Sequence, residues 1–383
     1  MTEGKTPDDG IVAEIAKGVA TFLPEEWDAL NGTCNPFVSH AFLTALEESG
    51  SVGVGTGWSP APITIRDTNR AVVGALPAYV KTHSQGEYVF DHAWADAYER
   101  AGGHYYPKLI IAAPFSPVPG PRVLARDEAT SLALLAATEN VVIQNGLSSA
   151  HANFVEKTQL PLFQKAGWLI RSGTQFHWEN AGYTCFDDFM ASLASRKRRA
   201  IRKERTAAQA AVEIEIIRGA DIRPEHWDAF WIFYQNTGAR KWGTPYLTRS
   251  FFDLIAKSMR EDIVLFLATR NGRPVAGALN MLGPDCLYGR YWGCSEDIPF
   301  LHFELCYYQA IDFAIQHGLS RVEAGAQGEH KLARGYLPVT TWSAHYIADP
   351  GFRSAIADFL ARERRAVERE QEFLGELGPF KRG

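Results

Sequence analysis

The chain contains two versions of itself. Pro24-Glu25-Glu26-Trp27-Asp28-Ala29-Leu30 returns 200 residues later as Pro224-Glu225-His226-Trp227-Asp228-Ala229-Phe230. Arg70-Ala71-Val72-Val73-Gly74-Ala75-Leu76 returns at an offset of 203 as Arg273-Pro274-Val275-Ala276-Gly277-Ala278-Leu279. Gln144-Asn145-Gly146-Leu147-Ser148 matches Gln316-His317-Gly318-Leu319-Ser320 at an offset of 172. Gly167-Trp168-Leu169 with His177 matches Gly335-Tyr336-Leu337 with His345 at 168. Four matches in one order, with smoothly drifting offsets, point to a duplicated domain; a solenoid would repeat every 20–50 residues or so. The expected organisation is one copy over 10–180, a second over 181–348, and a charged helix over 349–383. The fall in offset from 203 to 172 gives the first copy 31 extra residues, an insertion placed at about 79–109.

Hydrophobic periodicity in the second copy then sets the fold class. Residues 212–218 alternate as a half-buried strand does, and 224–237 read as a helix opened by proline. A helix is expected at 251–259. Strands at 263–269 and 275–282 are joined by Asn271-Gly272, residues that suit a tight hairpin turn. A strand at 287–294, a long helix at 300–317 and a strand at 321–327 follow. A short helix at 330–334 and a last strand at 340–347 close the copy. This is an α/β chain with a mixed sheet, α+β in character, built as two tandem domains. The Arg- and Glu-rich stretch 352–374 reads as a solvated helix with i,i+4 charge pairs.

Composition narrows the function classes. Hydrophobic residues at 46% and charged residues at 22% suit packed cores and exclude disorder as the main theme. A net charge of −5 argues against a general polyanion-binding surface. The polar N-terminus has no apolar signal core, and no apolar run is long enough for a membrane span; a cytoplasmic location is expected. Cys34, Cys185, Cys286, Cys294 and Cys306 form no CxxC pair and no zinc spacing, so neither a metal site nor a disulfide is expected.

The element order resembles a GNAT acyltransferase domain, and two in tandem resemble the FemABX aminoacyltransferases. Several runs are similar to a narrower group, the FemAB-like N-acyltransferases. They are His83-Ser84-Gln85-Gly86-Glu87-Tyr88, Tyr105-Tyr106-Pro107-Lys108-Leu109 and Arg240-Lys241-Trp242-Gly243. Gly289-Arg290-Tyr291-Trp292-Gly293-Cys294 and Gly325-Ala326-Gln327-Gly328-Glu329-His330-Lys331 complete the set. The similarity runs from about Pro36 to Ile347. It implies two GNAT-like domains that transfer an acyl or aminoacyl group to an amine on a small molecule or peptide. The donor it implies is aminoacyl-tRNA or acyl-CoA, with no permanently bound cofactor.

Two departures from those families bear on the donor. The loops that would hold a coenzyme A pyrophosphate read Ser116-Pro117-Val118-Pro119-Gly120-Pro121-Arg122 and Ser295-Glu296-Asp297-Ile298-Pro299. They lack spare glycines, and each proline removes an N–H donor. Where Fem enzymes carry Phe-Lys-x-Gly-Phe, this chain has Leu332-Ala333-Arg334-Gly335-Tyr336, so Lys331 or Arg334 would stand in for that lysine.

Acyl transfer to an amine needs a base, oxyanion stabilisation and an acid or cation at the leaving group. The run from Gln327 to Lys331, where a strand ends and a helix begins, supplies these types. Glu329 and His330 are base candidates; Lys331 and Arg334 are cations three apart on one helix face, or all four simply form an exposed polar turn. Glu304 falls inside the apolar stripe of its helix, as a catalytic carboxylate or a member of a buried ion pair. Arg290 is expected on one strand face with Tyr288 and Trp292, with Glu323 as its counter-ion; it either holds an anion or stacks as a cation–π pair. Arg240, Lys241 and Trp242 offer two cations and an aromatic platform, or a tryptophan-anchored loop. In the insertion, His83, Glu87, Tyr106 and Lys108 are substrate-binding candidates, or hydrogen-bonded scaffolding beside Asp91. Arg198, Arg199 and Arg202 belong to the one dense basic run and suit RNA phosphates, or a solvated helix face. The expected function is N-acyl transfer. The alternative is a non-catalytic ligand- or RNA-binding protein that keeps the duplicated fold.

Overall fold

The computed structural model describes residues 12–241, 245–325 and 328–381, with the side chains of all but 12, 238–241 and 329. The chain forms two compact units, and their boundaries follow strands rather than the sequence repeat. The first unit holds the chain up to Phe115, then Pro119–Arg171, and then Trp342–Ala361. The second holds Ser116–Val118, Ser172–Thr341 and the chain from Arg362 onward.

In the second unit, Glu213–Arg218, Ile263–Arg270, Arg273–Leu282 and Cys286–Cys294 form an antiparallel run. Asn271 and Gly272 both take the positive φ of their turn, 53° and 72°. Arg321–Glu323 then adds parallel to Cys286–Cys294, and residues 177–179 pair antiparallel with it. The helix Pro224–Lys241 lies against this sheet, on Cys286–Cys294 above all. Phe266, Leu287, Leu305, Ile311, Val322 and Tyr336 are core residues of the unit.

The predicted helix 300–317 is real but not regular. It runs Leu301–Phe303, loosens into a π-turn over Glu304–Tyr308, and resumes as Gln309–Gln316. A π-turn carries one extra residue per turn, so it re-aims every side chain on it.

In the first unit, the hairpin Ile63–Arg66 and Val72–Leu76 packs with the helix Glu128–Gln144. The insertion folds out of a strand pair: Ala78–Lys81 and Lys108–Ile111 are antiparallel, with Lys81 opposite Lys108. Between them stands the helix His92–Arg100. Ser149–Ala152 lies parallel to Lys108–Ile111, and the end of Leu337–Ile347 pairs with its other edge.

The two copies have exchanged their last strands. Glu323 of the second copy stands opposite His177 of the first, and His345 of the second stands opposite His151 of the first. Glu323 and His151 are equivalent at the sequence offset of 172, as are His345 and His177 at 168. Each unit is therefore completed by a strand from the other copy. No helix among the described residues is long and apolar enough to cross a membrane.

Candidate active site

In the second unit, the sheet places a cluster of ionisable groups where Arg321–Glu323 ends. Arg290 is set there by a bulge. Leu279 faces Tyr291 while Asn280 faces Gly289, so Arg290 is the extra residue between them. Bulges re-aim side chains, and they recur beside active sites. The expected face shared with Tyr288 and Trp292 is broken for that reason: the guanidinium lies 5.5 Å from the Tyr291 ring, and Trp292 packs on His302.

Arg290 acts on Glu323 as expected, and a second arginine joins it. Arg321 Nε donates to Glu323 Oε1 at 3.2 Å, two residues back on the same strand face. Burial raises the Glu323 carboxyl to about 7, although Arg321 and, at longer range, Arg290 pull it down. Across the strand pair, His177 Nε2 is 4.0 Å from Glu323 Oε2. Gln175 Nε2 donates to the Pro117 carbonyl, so its Oε1 is left to accept from His177 Nε2–H at 3.0 Å. Burial, reinforced by Arg321 and Lys331, takes His177 down to about 3 and keeps it neutral.

Lys331 is the most telling member. Its side chain is 1% exposed, and Nζ donates to the Gly325 carbonyl at 2.8 Å. Burial lowers its pKa to about 7; Cys306 nearby opposes this and Arg290 adds to it. An amine at that pKa is partly neutral at pH 7, with a lone pair free on that fraction. Burial thus favours the uncharged amine, the direction expected for a lysine in an apolar site.

The other candidates of this run separate from it. Arg334 is 7% exposed; its Nη2 donates to both Glu204 carboxylate oxygens, at 3.1 and 2.9 Å, and its guanidinium lies 3.4 Å from the Phe303 ring centroid. Its Nη1 donates to the His330 carbonyl at 2.8 Å, whereas Lys331 turns to Gly325. His330 is exposed and meets the Tyr307 hydroxyl at 2.8 Å. Gln327 and Trp242 lie outside the described residues, as do the side chains of Glu329, Arg240 and Lys241.

Glu304 is wholly buried on the π-turn. Oε1 accepts from Gln209 and Gln309 at 2.8 Å each, and Arg205 Nη2 lies 3.2 Å away. These partners make it a member of a buried ion pair with Arg205. Arg205→Met is expected to destabilise the second unit by about 3 kcal/mol or more, because it strands a buried carboxylate. Urea unfolding checks this; a loss under about 1 kcal/mol would mean the two amides suffice.

Glu204, Arg205 and Gln209 belong to the helix Ser195–Ala211, whose buried face is Ile201 and Ala208. The same helix turns Arg199 and Arg202 to solvent, with Arg198 half-buried. The signal for its docking was in the sequence: 204, 205 and 209 sit within a turn of 201 and 208 on a helical wheel.

The first unit holds a second buried cluster, and it gathers the candidates of the insertion. Lys108 is fully buried; its Nζ donates to Ser84 Oγ and Glu87 Oε2 at 2.8 Å each and to Asp91 Oδ2. Tyr106 hydroxyl meets Ser84 Oγ at 2.8 Å, and Tyr105 hydroxyl donates to Asp91 Oδ2 at 2.6 Å. His83 stands beside Lys81, with Nδ1 3.4 Å from Nζ. Burial raises Glu87 to about 7 against the pull of Lys108. Burial also disfavours the Asp91 carboxylate, yet Lys108 outweighs it and holds that pKa well below the usual range. Missed in the sequence were His151 and His345, whose Nδ1 atoms meet at 2.7 Å; their pairing depends on the strand exchange.

Parallel and antiparallel pairings mix within each of the two units, and with the duplicated sequence they define a tandem mixed-sheet α/β protein. The model of the FemAB-like family, described as peptidoglycan biosynthesis/recognition, matches residues 18–382. The chain belongs to that family. FemX is similar in structure, with a TM-score of 0.54 and 14% identity over 87% of this chain and 98% of its own. L-PGS from Bacillus licheniformis is similar at a TM-score of 0.51 and 9% identity, over 86% and 98%. At such identities the likeness is one of fold. No curated protein matches the sequence.

Proposed function

We propose that this protein is an N-acyltransferase that moves an aminoacyl group from tRNA to an amine on a peptidoglycan precursor, with Lys331 as the base. The observation that carries the reading is the buried Lys331 amine, held to the Gly325 carbonyl just past the strand that ends in Glu323, with Arg290 acting on it. An attacking ammonium must first lose a proton. Lys331, neutral near pH 7, accepts it, and the positive charge of Arg290 favours the oxyanion that then forms. Glu323, which burial keeps partly protonated near neutrality, is suited to pass a proton to the leaving oxygen. The family description supports the peptidoglycan acceptor.

The choice of tRNA over acyl-CoA rests on two features. After Cys286–Cys294 the loop runs into Pro299 and a left-handed Phe300 before the helix begins. It offers no glycine cradle of N–H donors for a pyrophosphate. The exposed Arg199 and Arg202, with Arg198, supply a cationic helix face instead.

Replacing Arg198, Arg199 and Arg202 with glutamine should weaken tRNA binding and lower the slope of log affinity against log salt by about 2–3. Gel shifts from 50 to 300 mM salt read this directly. Wild-type protein with no salt-dependent tRNA binding would remove tRNA as donor, and binding of an acyl-CoA in the same assay would put the thioester in its place.

A further inference from the structure

We infer that the Lys108 centre of the first unit is a binding site for a primary ammonium group. The inference concerns a site apart from the Lys331 chemistry and does not need it. All three N–H bonds of Lys108 are taken, by Ser84, Glu87 and Asp91. The far oxygens of both carboxylates, Glu87 Oε1 and Asp91 Oδ1, are buried with no hydrogen-bond partner among the described residues. Glu87 and Asp91 are 4% and 3% exposed. Buried acceptors of that kind are uncommon, and two of them on one saturated cation ask for a donor that the chain itself does not supply.

Charge and surroundings narrow that donor. Two carboxylates share one ammonium, so a second positive group balances the centre while a neutral donor leaves it short. The remaining cation in range is Lys81, which stacks 4.0 Å from the Trp58 ring and donates to the Gln85 carbonyl rather than to either carboxylate. Burial lowers Lys81 to about 7, so above that pH it is largely uncharged. The rings of Tyr105 and Tyr106 lie 5.4 and 5.7 Å from Lys108 Nζ, the kind of aromatic wall that favours cations. Tyr106 is half-buried, and its hydroxyl meets Ser84 Oγ at 2.8 Å. No group of three His, Cys, Asp or Glu suited to a metal occurs among the described residues.

The backbone around the centre is strained in the way ligand sites often are. Tyr88, Phe115 and Phe154 hold φ of 60°, 57° and 54°, values that bulky residues seldom adopt. Tyr88 follows Glu87 directly, Phe115 packs on Trp58, and Phe154 follows Asn153, whose amide donates to the Glu87 carbonyl at 3.4 Å. Gly57, at φ 73°, leaves the room that His83 fills; a Cβ there would stand 2.1 Å from His83 Nε2. The strain therefore surrounds one loop, the one that carries Glu87.

Isothermal titration of the full chain with cadaverine and ethylamine, against 1,5-pentanediol and N-acetylethylamine, tests the inference at pH 8 with no acyl donor present. Since binding alone is measured, failure here and failure of the transferase reading are separate results. The amines are expected to bind and the neutral analogues not to. Affinity should rise from pH 6 to pH 8 as Glu87, set among Lys108, Asp91 and Lys81, loses its proton. Glu87→Gln, which leaves Lys108 paired one-to-one with Asp91, should weaken amine binding at least about 10-fold. Equal binding of the diol, no heat from either amine, or an unchanged Glu87→Gln affinity would each overturn it, leaving the two oxygens to a buried water. If Glu87→Gln does not fold, the wild-type pH series decides: a flat affinity overturns the inference.

Discussion

Lys331→Met is expected to lower single-turnover acyl transfer by about 10²–10⁴-fold, the usual contribution of a positioned base. The methylene stem stays, so packing against the Gly325 turn is largely kept while the lone pair is lost. The wild-type rate should climb with pH through about 7, where Lys331 gives up its proton, and level off above it. The variant's residual rate should lack that limb. Lys331→Arg restores a cation but not a base, and should be as slow as methionine. Rescue by arginine would instead mark Lys331 as a fixed positive charge at the oxyanion or leaving group.

Protein stability gives an independent check on the same residue. The folded pKa lies below the unfolded value of 10.5, so between about 7 and 10.5 the unfolded chain binds more protons. Stability contributed through Lys331 therefore rises with pH across that window, and Lys331→Met should flatten the rise. Thermal unfolding of both proteins from pH 7 to 10 measures it. An unaltered slope would mean that Lys331 is not the buried, proton-poor amine the mechanism requires.

Local patterns of the sequence translated well into structure, and non-local ones did not. The hairpin over 263–282 was legible because Asn271-Gly272 sits between two apolar runs, and the turn has the two positive φ values such a pair favours. The helix at 224 begins at its proline. The predicted helix at 300–317 hid a π-turn, since apolar spacing alone does not distinguish 3.6 from a locally looser winding. Arg321 was missed as a second partner of Glu323, although the period of two on a strand places it on the same face. The bulge at Arg290 depends on the neighbouring strand, so no reading of 286–294 by itself reveals it. The exchange of last strands was invisible for the same reason: each partner lies more than 140 residues away, and repeat offsets say which strands are equivalent, not which ones pair. Of the candidate site, the insertion motifs led to a real cluster, while the His151–His345 contact within that unit needed the exchange to exist.

Lys108→Met should be the most damaging single change to stability in the first unit. It removes the cation from between Glu87 and Asp91, which are both nearly fully buried, and breaking a buried ionic group in this way typically costs about 3–5 kcal/mol. Lys108 has a folded pKa raised above its ordinary value: burial opposes this, but the two carboxylates outweigh it. Its stabilising contribution is therefore complete below the unfolded lysine pKa, and the wild-type protein does not lose it near neutrality. The variant behaves differently. Without the ammonium, both carboxyl pKa values rise, so the folded state can hold its carboxyls only as neutral acids. The deficit should accordingly be largest at pH 8 and shrink towards pH 5, where the orphaned groups take up protons. Thermal unfolding at both pH values measures this, with an expected loss of roughly 6–20 °C at pH 8 for a unit of this size. Adding Glu87→Gln and Asp91→Asn to Lys108→Met removes the stranded charges and should restore much of the pH 8 loss. A deficit equal at pH 5 and pH 8, unmoved by those two amides, would assign the damage to lost packing of the lysine stem, and the ionic account of this centre would have to be given up.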